Sequence, residues 1–160
     1  MVLFLSSSLK FKKFCNFKSC ISRTNSFEHD MNLIFESPVI WSYENELLGK
    51  DGISQIAAQF SGVAPIHNHE GSLTLTTNLI QILGDEELNL PLSDIEQLYI
   101  GFDEVYHRNF VKNFGAFCQP LRITFSNVLT AGSIYIIADY RYGTCTATQQ
   151  LFTVLQELLS

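Results

Sequence analysis

The chain has 160 residues and a formal charge of −6, with 46% apolar residues, 13 Phe and a single Trp. That apolar share excludes a disordered chain, and a length near the usual size of one domain allows a single core that buries about 70% of the unfolded surface. The longest apolar runs, Leu33–Phe35 and Ile134–Ala138 among them, fall well short of the ~20 residues needed for a membrane-crossing helix.

Residues 1–30 are rich in serine and carry Lys10, Lys12, Lys13, Lys18 and Arg23, with no acid before Glu28. This is the composition of an organelle-import presequence. A secretory signal does not fit, because the apolar start Val2–Leu5 precedes the lysines and is shorter than the ~7 residues of an apolar signal core. Met31 opens the first coherent apolar pattern, Leu33-Ile34-Phe35. The stretch is therefore read as a targeting segment or, preferably, as an extension upstream of a start at Met31, and the fold is assigned to one domain, residues 31–160. From Met31 onward five bases face 14 acids, a net charge of −9. Such a surface repels phosphate backbones, and no basic stripe with interleaved aromatics is present, so nucleic acid is not an expected partner. The cysteines, Cys15, Cys20, Cys118 and Cys145, form no CxxC pair. Neither a disulfide framework nor a zinc ribbon is expected; a reducing cytoplasm and buried thiols at Cys118 and Cys145 are.

Along the domain, Asn32–Trp41 reads as an extended segment broken by Pro38, which removes a ladder donor and belongs at an edge; it is expected on the outside of the β-structure. Ile53–Phe60 fits a helical face and one side of a strand, and is assigned as a strand. Gly71–Thr77 alternates Leu73 and Leu75 with polar residues, and after a turn at Asn78 Leu79–Leu83 completes a hairpin. Leu88, Leu90 and Leu92 alternate, and the pattern resumes with Ile95, Leu98, Ile100 and Phe102. Leu121, Ile123 and Phe125 alternate with Arg122, Thr124 and Ser126, and Ser133–Tyr140 is a β-branched and aromatic run between Gly132 and Gly143. Thr146, three residues before Gln149, reads as a capping box, followed by Leu151, Phe152, Leu155, Leu158 and Leu159 on one helical stripe.

Six or seven short antiparallel strands followed by one amphipathic C-terminal helix resembles the pleckstrin-homology-like (PH-like) superfold. Gly71-Ser72-Leu73-Thr74-Leu75-Thr76 and Leu90-Pro91-Leu92-Ser93-Asp94-Ile95 are similar to the strand pattern of GRAM-type and bacterial PH-like domains. The resemblance implies a mainly β barrel or sandwich capped by the helix. It also implies a binding module for phosphoinositides, peptides or partner proteins. Lipid-binding members place several Lys and Arg around the first inter-strand loop; Ser61–Glu70 has none, so phosphoinositide binding is not expected.

Two constellations carry chemistry. His67 and His69 lie two apart, so on a strand both imidazoles share a side and can chelate a metal if a third ligand such as His107 or Asp103 joins them. The segment Phe102–Gln119 is longer than an ordinary hairpin loop and mixes aromatics with bases. Tyr106, Arg108, Phe110, Lys112 and Phe114 are the candidate surface for a protein partner or for self-association, unless the aromatics fold back into the core. Acid runs such as Asp85-Glu86-Glu87 read as solvated turns. No GxSxG, glycine-rich phosphate loop or HExxH occurs. The expectation is a non-catalytic binding module without a cofactor. The alternative is a metal-binding protein or metal-dependent enzyme centred on His67 and His69.

Overall fold

The structure is a computed structural model and describes residues 32–48 and 64–160. The strand expected at 53–60 and the segment before Asn32 lie outside the described residues. The elements are β1 (Phe35–Tyr43), α1 (Glu44–Leu47), β2 (His69–Leu75), β3 (Leu79–Gly84), β4 (Leu88–Pro91), β5 (Ile95–Ile100), β6 (Leu121–Ser126), β7 (Ala131–Ala138) and α2 (Thr146–Leu159). The seven strands form one antiparallel sheet in the order β4-β3-β2-β1-β7-β6-β5. The expected mainly β class with one C-terminal helix is what the chain adopts. Among the described residues the two end strands, β4 and β5, are not paired with each other, and the sheet they bound does not close into a barrel.

β1 departs from its expected place. It is the central strand, paired with β2 on one side and β7 on the other. Proline is tolerated there for a geometric reason. The β7 ladder begins only at Val39, opposite Ala138, and Pro38 sends its carbonyl to the β7 side, where it accepts from the Asp139 amide at 2.8 Å. In an antiparallel strand a residue's N and C=O point the same way. The missing N–H is thus directed past the end of the β7 ladder, and β2 asks nothing of it.

β7 is buried on both faces, which is why it reads as a continuous apolar run rather than an alternation. Ile134, Ile136 and Ala138 face the main core, with Leu73, Leu75, Ile80, Ile82, Leu121 and Ile123. Tyr135 and Ile137 face a second core on the other side, with Leu47, Tyr106, Phe110 and Val111. α2 closes the main core through Leu151 and Leu155, both fully buried, while Leu159 at the end of the expected stripe is exposed. The capping box expected at Thr146 does not form. Cys145 is the N-cap and no side chain caps the helix; its first turn is anchored by Thr148 instead, whose hydroxyl accepts from the Ala138 amide at 2.8 Å.

Candidate functional site

The segment Phe102–Gln119 lies on the second core, and Asp103 organises its start. One carboxylate oxygen accepts from the amides of Val105 and Tyr106 at 2.9 and 2.8 Å, and the other from Arg122 Nη1 and the Tyr135 hydroxyl, both at 2.9 Å. Burial alone pushes this carboxyl's pKa up, but the Tyr106 amide, the Tyr135 hydroxyl, the Val105 amide and the Arg122 charge outweigh it and hold the group below the ordinary carboxylate range. The turn so formed drops Tyr106 onto Tyr135, with ring centroids 5.4 Å apart. The Tyr106 hydroxyl donates to the Ile66 carbonyl at 2.9 Å, and burial raises its pKa.

Tyr106 and Phe110, taken from sequence as surface contacts, are core residues at 3% and 1% exposure. The Tyr106 ring stacks on Tyr135 and the Phe110 ring packs edge-on to Tyr106, centroids 5.3 Å apart, the fold-back that competed with the surface reading. The other candidates stay outside. Arg108 is exposed and lies over the Phe102 ring, 5.4 Å from its centroid. Lys112 is half-buried, its aliphatic stem close to Gly143. Phe114 is 59% exposed, and Phe117, a further aromatic of the same segment, is 69% exposed.

The backbone that presents Phe114 is unusual. Asn113 and Phe114 have φ of 54° and 53°, and Gly115 follows at 69°. For an aromatic residue the left-handed region is sterically unfavourable. The reversal is fixed by Gly115, where any Cβ would overlap the Phe102 ring, and it aims Phe114 away from the core.

Cys118 and Cys145, expected as separate buried thiols, are indeed buried but are joined in a disulfide with a Cα–Cα distance of 5.0 Å. They lie 27 residues apart, with no local motif to pair them. Only the fold brings the end of the long segment to the start of α2. The pair also weakens the cysteine argument for a reducing compartment.

The two histidines have separate environments. His67 sets Nδ1 2.6 Å from the Pro65 carbonyl and Nε2 2.9 Å from Glu70 Oε1. His69 sets Nδ1 3.0 Å from Asp85 Oδ2, and Nε2 2.9 Å from Glu46 Oε1 and 3.3 Å from Glu86 Oε2. The proposed third ligands are engaged elsewhere: Asp103 as above, and His107 edge-on to Phe110. Among the described residues no group of three or more His, Cys, Asp or Glu side chains is placed to hold a metal ion.

Neutral imidazole has one donor and one acceptor nitrogen, and both nitrogens of His69 face carboxylates. The imidazolium is the form that satisfies them. Burial lowers the His69 pKa, but the hydrogen bonds and charges of Glu46 and Asp85 outweigh it and leave it above the ordinary imidazole value. Tyr43 donates to Glu86 at 3.2 Å; burial and that carboxylate push its pKa up to about 12. The placement of Asp85 depends on the glycine pair Gly71 and Gly84, directly opposed in the β2–β3 ladder. A Cβ on Gly84 would overlap the Glu70 carbonyl.

No protein-family model and no curated protein matches the chain. Among solved structures, the C-terminal domain of an unknown protein from Leishmania infantum is 8% identical, with a TM-score of 0.46 over 81% of this chain and 85% of that one. The hSac2 domain from human phosphoinositide phosphatase Sac2 is 13% identical, with a TM-score of 0.46 over 82% of this chain and 71% of that one. Among the described residues no helix is long and apolar enough to cross a membrane.

Proposed function

We propose that the chain is a non-catalytic binding module that engages a protein partner, or a second copy of itself, through Phe114 and Phe117 with Arg108 and Lys112 at their flank. The observation that carries this reading is Phe114, 59% exposed on a backbone held at φ 53°. Strain at a non-glycine residue persists only where the surroundings impose it, and it gathers at functional sites. A bound partner that covers an exposed aromatic gains apolar contact from it. Seven antiparallel strands followed by one helix support a PH-like binding module as the scaffold. The net charge of −9 from Met31 onward argues against nucleic acid and anionic lipid headgroups as partners. A cytoplasmic location stays part of the proposal, and the Cys118–Cys145 pair is the observation that bears against it.

The test is capture from an extract of the native host by the full chain and by its Phe114→Ser/Phe117→Ser form, with sedimentation of both. A bound protein or a self-associated species that the variant loses supports the reading. Equal capture and sedimentation by the two forms removes it.

A further inference from the structure

We propose that Cys118–Cys145 is a site of reversible thiol–disulfide exchange with a low-molecular-weight thiol, and that its redox state decides whether Phe114 and Phe117 are presented; this rests on the binding reading above. The two cysteines are buried, at 2% and 5% exposure, yet both line a hollow of about 340 Å³ with Ile100, Phe117, Gln119 and Thr146. That volume lies at the lower end of small-molecule sites, and among the described residues no Lys, Arg, Asp or Glu lines it.

The position gives the bond leverage over the surface. Residues 116–119 belong to no helix or strand. The left-handed turn Asn113–Gly115 precedes them, and β6 follows only at Leu121. The disulfide therefore ties the far end of the aromatic segment to α2, at the residue after Phe117. A strained turn keeps its conformation only while its surroundings over-determine it, and this covalent tie is one of those surroundings.

The exchange has a preferred direction. Cys145 is the N-cap of the 14-residue helix α2, where the positive end of the helix dipole stabilises a thiolate and makes it the better leaving group. A small thiolate attacks Cys118 Sγ, forms a mixed disulfide there and expels the Cys145 thiolate, which takes up a proton. A second thiol then attacks the small-molecule sulfur of the mixed disulfide and releases Cys118. Two small thiols are oxidised to one disulfide, and the protein disulfide gains two electrons and two protons.

The experiment uses the full chain, oxidised, reduced with glutathione and reoxidised, beside its Cys118→Ser/Cys145→Ser form. Amide exchange over residues 113–119 is read together with the association measured above. Reduction is expected to speed exchange there at least tenfold and to lower association at least fivefold, with recovery on reoxidation and the double variant matching the reduced chain. Unchanged exchange and association after the thiols are shown to be reduced would overturn the proposal. Should the double variant not fold, the reversible glutathione cycle on the native chain decides alone. Loss of association in oxidised Phe114→Ser alongside redox-indifferent wild type defeats the exchange proposal and leaves the binding reading intact; full association by oxidised Phe114→Ser defeats the binding reading itself.

Discussion

The imidazole of His69 lies against the indole of Trp41, ring centroids 4.6 Å apart and planes tilted by 32°. Trp41 is the only tryptophan of the chain and is 1% exposed, so its emission reports on this contact. A charged imidazolium against an indole face is held there by the ring quadrupole and quenches the excited state. Emission is expected to rise with pH as His69 loses its proton, with a midpoint above the ordinary imidazole value. His69→Gln should abolish the transition, and His67→Gln should leave it in place. An emission profile that is flat between pH 6 and 9 in the native chain would contradict the assignment of the imidazolium.

The same proton bears on stability. Because folding raises the His69 pKa, its contribution is fully present below the unfolded value of about 6.5 and is lost as pH rises through the folded-state value. Melting temperatures across that window should fall further for the native chain than for His69→Gln, the two converging at the alkaline end.

Asp103 acts in the opposite sense. Its folded pKa is depressed, so its contribution is present above the unfolded value of about 3.9 and is lost as pH falls through the folded one. Asp103→Ala removes an acceptor shared by two amides, a guanidinium and a phenol, and is expected to cost about 2–4 kcal/mol. Chemical denaturation at neutral pH measures this. A change under about 0.5 kcal/mol, the size typical of a surface substitution, would show that the network does not hold the segment.

How much of this was legible in the sequence depends on the range of each signal. Strands β2, β3, β6 and β7 were readable because alternation or a β-branched run is local. β1 was misplaced because Pro38 argues for an edge, and only the offset between the β2 and β7 ladders makes it acceptable at the centre. The surface was half-legible: composition located the Phe102–Gln119 segment but not which aromatics turn inward. Tyr106 is drawn in by Tyr135 and the Ile66 carbonyl, and the Phe110 carbonyl accepts from the Ile66 amide, partners that adjoin them only in space. The signal that separates Phe114 is the following Gly115, whose positive φ marks a chain reversal. His69 was noticed for the wrong partner. Glu46, Asp85 and Trp41 reach it through strand pairing and a turn, whereas His67, two residues away, makes other hydrogen bonds.

The aromatic residues of the segment should part company on truncation. Phe110→Ala empties a fully packed site and is expected to cost about 3–5 kcal/mol. Phe114→Ala should stay within about 0.5 kcal/mol of the native chain. Urea denaturation of the two variants decides, and equal losses would mean that Phe114 too is structural.

We propose that the strained backbone at Phe114 is kept for binding and not for folding. The most direct measurement is therefore Phe114→Gly in the full chain, with the melting temperature and the association read on the same sample. Glycine accepts the left-handed conformation without a Cβ penalty, so the account predicts a protein more stable by about 1 kcal/mol that no longer associates. A variant that melts below the native chain, or that associates as well as it does, would contradict the account.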